Sequence, residues 1–178
     1  MEIENTFISG LKLLHLNKFE DSRGSFLKVF NEEMFKENSL AINFKESYYS
    51  ISKKNVLRGM HFQIPPFEHT KLVYLNHGEI LDVVLDIRKT SQTYGKHFSI
   101  KLDTKKPILI YIPIGCAHGF ISLTDDTIVT YMQTTVYNKE CDTGILWSSF
   151  DMKWEINKPI ISDRDNLFLD FNTFNSPF

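Results

Sequence analysis

Val56-Leu57-Arg58-Gly59-Met60-His61-Phe62-Gln63 opens a run of strand-like segments that continues through Lys71-Leu72-Val73 and Asp82-Val83-Val84-Leu85-Asp86-Ile87-Arg88. Apolar, β-branched and aromatic residues dominate these segments, which favours extended chain. His61 stands among strand residues with Lys71 ten positions further on. That distance allows one strand, a tight turn and a return, so that both side chains reach the same cavity. Histidine is the side chain whose ordinary pKa lets it take a proton near neutral pH and give it back. Base and cation would then share a pocket; the plain alternative is a polar patch of Arg58 and His61 at a strand end.

Working outward, the same chemistry repeats along the chain. There are fifteen Phe and seven Tyr, and short extended segments are expected near 2–8, 11–18, 25–30, 44–51, 56–63, 70–76, 79–87, 96–102, 107–112, 118–124 and 127–137. Turn residues separate them: Asn76-His77-Gly78, Tyr94-Gly95 and Thr124-Asp125-Asp126 supply the backbone angles of tight turns. This spacing predicts an all-β sandwich or barrel. One short helix is expected from Asn31 to Asn38, capped by Asn31 and with Glu32 and Glu33 in the first turn, where the helix dipole favours negative charge. The aromatic tail from Leu167 to Phe178 is interleaved with Asn, Ser and Pro and reads as a packed irregular segment.

Composition excludes several function classes. With 178 residues and 42% hydrophobic content, the chain supports one good core, so residues 1–178 read as a single domain. The net charge is −2 and the basic residues are scattered, which offers no nucleic-acid surface and no electrostatic hold on a membrane. The acidic start Met1-Glu2-Ile3-Glu4-Asn5 is unlike a secretory signal, and no apolar run approaches the roughly 18 residues of a membrane span. Cys116 and Cys141 form neither a disulfide framework nor a zinc-ligand spacing. A cytoplasmic protein with reduced thiols is expected.

Other residues carry possible chemistry. In Pro113-Ile114-Gly115-Cys116-Ala117-His118-Gly119-Phe120 two glycines flank a histidine at the mouth of a strand, where glycine permits close approach to the backbone. His118 is either a ligand contact or a hydrogen-bonded core histidine. Tyr131 and Tyr137, six positions apart in one expected strand, would face the same side. A phenol acts as a general acid where the pocket stabilises its anion, though most strand tyrosines simply pack a ring. Asp86 and Arg88 read as a structural ion pair. His15, His69, His77 and His97 lack ligand spacing and read as surface or core-edge residues, and no His-x-His pair occurs. No catalytic metal is expected.

Together these segments resemble the dTDP-4-dehydrorhamnose 3,5-epimerase family. The likeness is carried by Phe19-Glu20-Asp21-Ser22-Arg23-Gly24-Ser25-Phe26, the Val56 to Gln63 run, Lys71-Leu72-Val73, Gly78 with Asp82 to Arg88, Pro113 to Phe120, Tyr131, Tyr137, Gly144-Ile145-Leu146-Trp147 and Ile161-Ser162-Asp163-Arg164-Asp165, in order and at spacing over nearly the whole chain. It implies a metal-free cupin, a double-stranded β-helix jelly roll of two antiparallel sheets with a few short helices. It also implies a cytoplasmic homodimer that exchanges N-terminal strands (about residues 1–50) and needs no cofactor. The expected catalytic set is His61 as base, Asp165 as its partner, Lys71 beside the enolate and Tyr131 as acid. Arg23, Phe26, Arg58, Gln63, His118, Tyr137 and Arg164 match substrate-binding positions. Four residues depart from the family pattern near the nucleotide: Lys28 and Asp142 stand where Glu is usual, and Glu46 and Tyr48 near where Gln and Asn are usual. Arg164 falls where Lys is frequent. Such changes alter the donors and acceptors offered to the base or phosphates.

The implied reaction explains the residue types. In a nucleotide-linked 4-keto-6-deoxy sugar the C3 and C5 hydrogens flank the carbonyl, and loss of either gives an enolate that is reprotonated from the other face. The C–H bond is roughly a dozen pKa units less acidic than imidazolium, about 16 kcal/mol, so the enolate must be stabilised. A lysine ammonium in a water-poor site does this, a carboxylate orients the histidine, and a tyrosine protonates the opposite face. The competing expectations are a nucleotide-sugar 3,4-ketoisomerase and a non-catalytic sugar-nucleotide binding module. Only the latter has no use for the set His61, Asp165, Lys71 and Tyr131.

Overall fold

The computed structural model describes residues 2–156 and 158–178. In chain order, β1 (Glu2–Asn5), β2 (Lys12–His15), β3 (Lys18–Asp21) and β4 (Gly24–Leu27) precede the helix α1 (Glu32–Glu37). Next come β5 (Glu46–Ser52), β6 (Leu57–Gln63), β7 (Lys71–His77), β8 (Glu79–Asp86), β9 (His97–Asp103) and β10 (Ile108–Ile112). The last elements are β11 (Cys116–Ser122), β12 (Thr127–Gln133), β13 (Asp142–Gly144) and α2 (Asp163–Asn166). A six-stranded antiparallel sheet, β1-β2-β10-β7-β12-β5, faces a five-stranded one, β13-β6-β11-β8-β9, and β3 with β4 forms a separate hairpin. This is the expected cupin jelly roll.

Three apolar clusters explain the layering. Val73, Ile110, Val129 and Tyr131 from the larger sheet meet Ile80, Val84, Cys116 and Phe120 from the smaller one. The outer face of the larger sheet, through Leu14, Leu72 and Leu109, is covered by Phe35 of α1 and by Leu40. Trp154, Phe171, Phe174 and Phe178 cover the outer face of the smaller sheet. Both faces of β8 are therefore buried, and every residue after Glu79 in Glu-Ile-Leu-Asp-Val-Val-Leu-Asp is buried instead of every second one. As expected, α1 starts at Asn31, whose side chain accepts the Met34 N–H. Asp86 and Arg88 form their ion pair at 2.8 Å, and Cys116 and Cys141 are both free thiols. No helix among the described residues is long and apolar enough to cross a membrane.

Several strands end short of expectation, β1 at Asn5 instead of 8 and β4 at Leu27 instead of 30, and three further differences matter more. β12 stops at Gln133, not at Tyr137: its register partners Glu46 and Lys71 are the first residues of β5 and β7, and past them the ladder gives way to single contacts such as the Thr134 N–H to Thr70 O. Tyr131 and Tyr137 therefore do not share a strand face. Lys18–Asp21, whose charged residues obscure a strand signal, pairs with Gly24–Leu27 around a tight turn. The three-residue β13 is too short to be legible on its own.

Candidate active site

The two sheets enclose a cavity of about 400 Å3, within the range of small-molecule sites. His61 and His118 enter from the smaller sheet, where they are register partners on β6 and β11. Lys71 and Tyr131 enter from the larger sheet. One irregularity aims Arg58 and His61 at the same space. Strict alternation would send side chains three positions apart to opposite faces. Here Arg58 to His61 spans only His118 to Phe120 on the partner strand, so β6 holds one extra residue and both side chains face the cavity. Gly59 sits in this bulge with φ of +137°, and a Cβ there would lie 2.5 Å from the Gly119 Cα.

His61 Nε2 lies 2.9 Å from Asp165 Oδ1. Side-chain exposures of 31% for His61 and 6% for Asp165 leave the imidazole reachable and the carboxylate sealed behind it. The Gly59 N–H donates to the other Asp165 oxygen at 3.1 Å. The Ser162 hydroxyl, N-cap of α2, accepts the Asp165 N–H and fixes the short helix that carries the carboxylate. Burial pushes the Asp165 pKa up, but His61, Gly59 and Ser162 together outweigh it and hold the carboxyl below its ordinary value.

Across the cavity, Lys71 is 6% exposed. Burial pulls its ammonium down to about 8, against the opposing influence of Asp142 and Asp82. Tyr131 is pushed well above the ordinary phenol value by burial, while a hydrogen bond with Ser50 and the charge of Arg58 act in the opposite direction. The His118 Nε2–H donates to Asp82 Oδ2 at 2.8 Å, and both groups are sealed from solvent. Burial, with Lys71 and His61 nearby, lowers the His118 pKa in spite of Asp82. The second Asp82 oxygen has no hydrogen-bond partner among the described residues.

The remaining expected residues divide into two groups. Glu46, Arg58, Gln63, Tyr137, Asp142 and Arg164 all line the cavity. Arg58 Nε donates to Ser52 Oγ at 3.0 Å, and Asp142 pairs with Arg164 at 2.6 Å. Gln63 also braces the structure. Its Oε1 accepts the Asn138 N–H at 2.6 Å and its Nε2 donates to Phe67 O at 2.9 Å, which pins the loop carrying Tyr137. Glu46 accepts from Gln133 Nε2 at 3.0 Å and from the Tyr137 N–H. By contrast, Arg23 and Phe26 lie in the β3–β4 hairpin and Lys28 directly follows it; none of the three lines this chain's own cavity.

Some cavity residues are not evident from sequence. His69, read as a surface or core-edge residue, lines the cavity, and burial with the Lys71 charge lowers it to about 3, so it stays neutral. Asp82 does carry a signal: a carboxylate within an apolar strand requires a buried partner, here His118. Ser50 carries none, since its role follows from cross-strand register alone. Among the described residues no group of three or more His, Cys, Asp or Glu side chains is arranged to hold a metal ion.

Comparison with known proteins agrees with this architecture. The sequence model of the dTDP-4-dehydrorhamnose 3,5-epimerase family matches residues 5–173. The Shigella flexneri enzyme of that name is 37% identical over 168 residues, covering 93% of each chain. The Methanothermobacter thermautotrophicus enzyme is 39% identical over 165 residues, covering 90% of this chain and 89% of its own. Among solved structures, the Legionella pneumophila dTDP-6-deoxy-D-glucose-3,5-epimerase in complex with dTDP-4-keto-L-rhamnose superposes with a TM-score of 0.92 at 30% identity, covering 98% of this chain and 94% of that one. The match thus runs through both sheets and the C-terminal segment that carries Asp165, and the chain belongs to the dTDP-4-dehydrorhamnose 3,5-epimerase family, a family of carbohydrate epimerases.

Proposed function

We propose that the chain inverts C3, C5 or both in a nucleoside-diphosphate-linked 4-keto-6-deoxy sugar, dTDP-linked as in its relatives, by proton transfer without a cofactor. The observation that carries this reading is the placement of the His61–Asp165 dyad on one wall of the cavity and Tyr131 on the other, with buried Lys71 beside them. With Nε2 engaged by Asp165, Nδ1 of His61 is the nitrogen left for the C–H proton. Loss of that proton places negative charge on the C4 oxygen, where the Lys71 ammonium stabilises it in a site largely closed to water. The Tyr131 hydroxyl then gives its proton to the opposite face of the same carbon. Arg58 offsets the phenolate left behind, and exchange with solvent restores both groups. Arg58 and Arg164 at the cavity supply positive charge for the diphosphate.

The same reading has the protein working as a cytoplasmic homodimer in which the N-terminal hairpin completes the partner's site. Phe19 and Phe26 are about 60% exposed on that hairpin, and Arg23 and Lys28 beside them are suited to an anionic nucleotide. Two free thiols fit a reducing compartment. The test incubates dTDP-, CDP-, GDP- and UDP-linked 4-keto-6-deoxy sugars with the protein in heavy water and follows deuterium by NMR and mass. Deuterium at C3 or C5 with the ketone retained at C4 is the expected result. A carbonyl moved to C3, or tight binding without any exchange, would overturn the assignment.

A further inference from the structure

Tyr131 is held in place from the neighbouring strand. Tyr48 is its register partner on the β12–β5 ladder. The two rings stack with centroids 4.8 Å apart and planes 19° from parallel. Ser50, the next residue of β5 on the same face, places its Oγ 3.2 Å from the Tyr131 hydroxyl. His118 meets the Tyr131 ring edge-on at 6.2 Å. Tyr48 itself lines the cavity and is 40% exposed, so it contributes little to the core. A sideways swing of the Tyr131 side chain about its Cα–Cβ bond would carry the hydroxyl off its line and break the stack with Tyr48, and a hydrogen bond to Ser50 alone holds only the tip of the ring. A proton donor must hold its O–H on line with one carbon, and a displacement of about 1 Å is enough to cost on the order of a hundredfold.

We propose that Tyr48 is a positioning residue for the proton donor: its stacked ring holds the Tyr131 side chain against sideways displacement, so that the hydroxyl faces the enolate carbon from the side opposite His61. The proposal rests on the reading of Tyr131 as the acid. It gives a part in the reaction to Tyr48, which stands near where the family resemblance puts an Asn. It also separates two steps that share one cavity. Proton removal by His61 does not involve Tyr48, whereas delivery by Tyr131 does. When delivery is hindered, the enolate takes a solvent-derived proton back from His61, and the substrate becomes labelled without inverting.

The experiment measures, in heavy water with a dTDP-linked 4-keto-6-deoxyhexose, inversions per deuterium atom found in recovered substrate. Three variants are compared with the unmodified enzyme. Tyr48→Ala and Tyr48→Leu remove the stack, the second while keeping bulk, and each should lower the ratio by about three- to tenfold, the range expected for an aromatic pair. Tyr48→Phe keeps the ring and should hold the ratio near that of the unmodified enzyme. The proposal is overturned if the Ala and Leu variants keep the ratio, if Phe falls with them, or if labelling and inversion drop in parallel, which marks a role in binding or in the pocket as a whole. Failure of the underlying function looks different: the unmodified enzyme then shows no labelling at C3 or C5 with any nucleotide sugar.

Discussion

His61 and Asp165 are 104 positions apart in the chain and 2.9 Å apart in space. The contact depends on α2, a helix of four residues whose N-cap, Ser162, holds the Asp165 backbone, and on the Gly59 N–H, which holds the second carboxylate oxygen. Both oxygens are thus committed before any substrate arrives, and the imidazole can be held in one tautomer.

Asp165→Asn tests that arrangement. The amide keeps the shape but not the charge, so it neither favours the tautomer with a free Nδ1 lone pair nor stabilises the imidazolium. The rate of solvent exchange at C3 and C5 should fall on the order of ten-thousandfold, the scale of the equivalent change beside the catalytic histidine of serine proteases. Binding of dTDP, measured by calorimetry, should be nearly unchanged. A loss of exchange below about tenfold would show that the dyad serves the fold and not the base.

Lys71 sets an alkaline limit. In the proposed mechanism its ammonium is the active form, and burial brings it down to about 8 in the free protein, so kcat/KM should decline tenfold per pH unit above that value. In Lys71→Arg the charge persists and the limb should move to higher pH; in Lys71→Met activity should fall by about two to three orders of magnitude at every pH. Stability runs the other way. The unfolded lysine keeps its proton to its ordinary value of 10.5, so between about 8 and 10.5 the unfolded state binds more protons and this group's contribution to stability rises with pH. The difference in denaturant stability between the unmodified protein and Lys71→Met, taken from pH 7 to 10, should therefore shift toward the unmodified protein; a flat difference would refute the burial of a charged amine.

Tyr131→Phe tests the proposed division between the two proton transfers. The base, its carboxylate and the lysine remain, so deuterium should still enter the substrate at C3 or C5, within about tenfold of the normal rate, while net inversion falls by a factor of about 10² to 10⁴. Proton NMR of the recovered sugar reads both quantities at once. Equal loss of the two would remove Tyr131 from the role of acid and give it a part in binding.

Much of this was legible because it is local. Asn31 with Glu32 and Glu33 announces its helix, Asn76-His77-Gly78 announces its turn, and the pairing of Asp86 with Arg88 follows from strand parity at a strand end. What was not legible depends on partners distant in sequence. The end of β12 coincides with where β5 and β7 begin, and Tyr137 reaches the cavity from a loop pinned by Gln63 and not from the strand that carries Tyr131. His69 is neutral because of the lysine beside it and the walls around it, neither of which its own neighbours in sequence disclose. Arg23, Phe26 and Lys28 stand at positions where the resemblance implies substrate binding, yet they lie away from this chain's own cavity, a separation that only a three-dimensional arrangement reveals.

The bulge in β6 is the least legible of these features and the most exposed to a single substitution. Parity from the sequence would place Arg58 and His61 on opposite faces; the extra residue at Gly59 and Met60 returns both to the cavity. Gly59 has a φ of +137°, where L side chains are strained, and an added Cβ would meet the backbone of Gly119 at 2.5 Å, which no flexible side chain can relieve. Gly59→Ala should therefore destabilise the protein by about 3 kcal/mol. For a chain of this size that corresponds to a fall of about 6–12 °C in Tm. Because the Gly59 N–H also holds Asp165, exchange at C3 and C5 should fall in whatever fraction remains folded. Gly119→Ala, whose Cβ would lie 2.8 Å from the Arg58 carbonyl oxygen, should behave alike from the other strand. A Gly59→Ala protein that melts within 2 °C of the unmodified one, by the same scaling a change of about 1 kcal/mol or less, and still exchanges at the normal rate would show that the aim of His61 does not depend on this bulge.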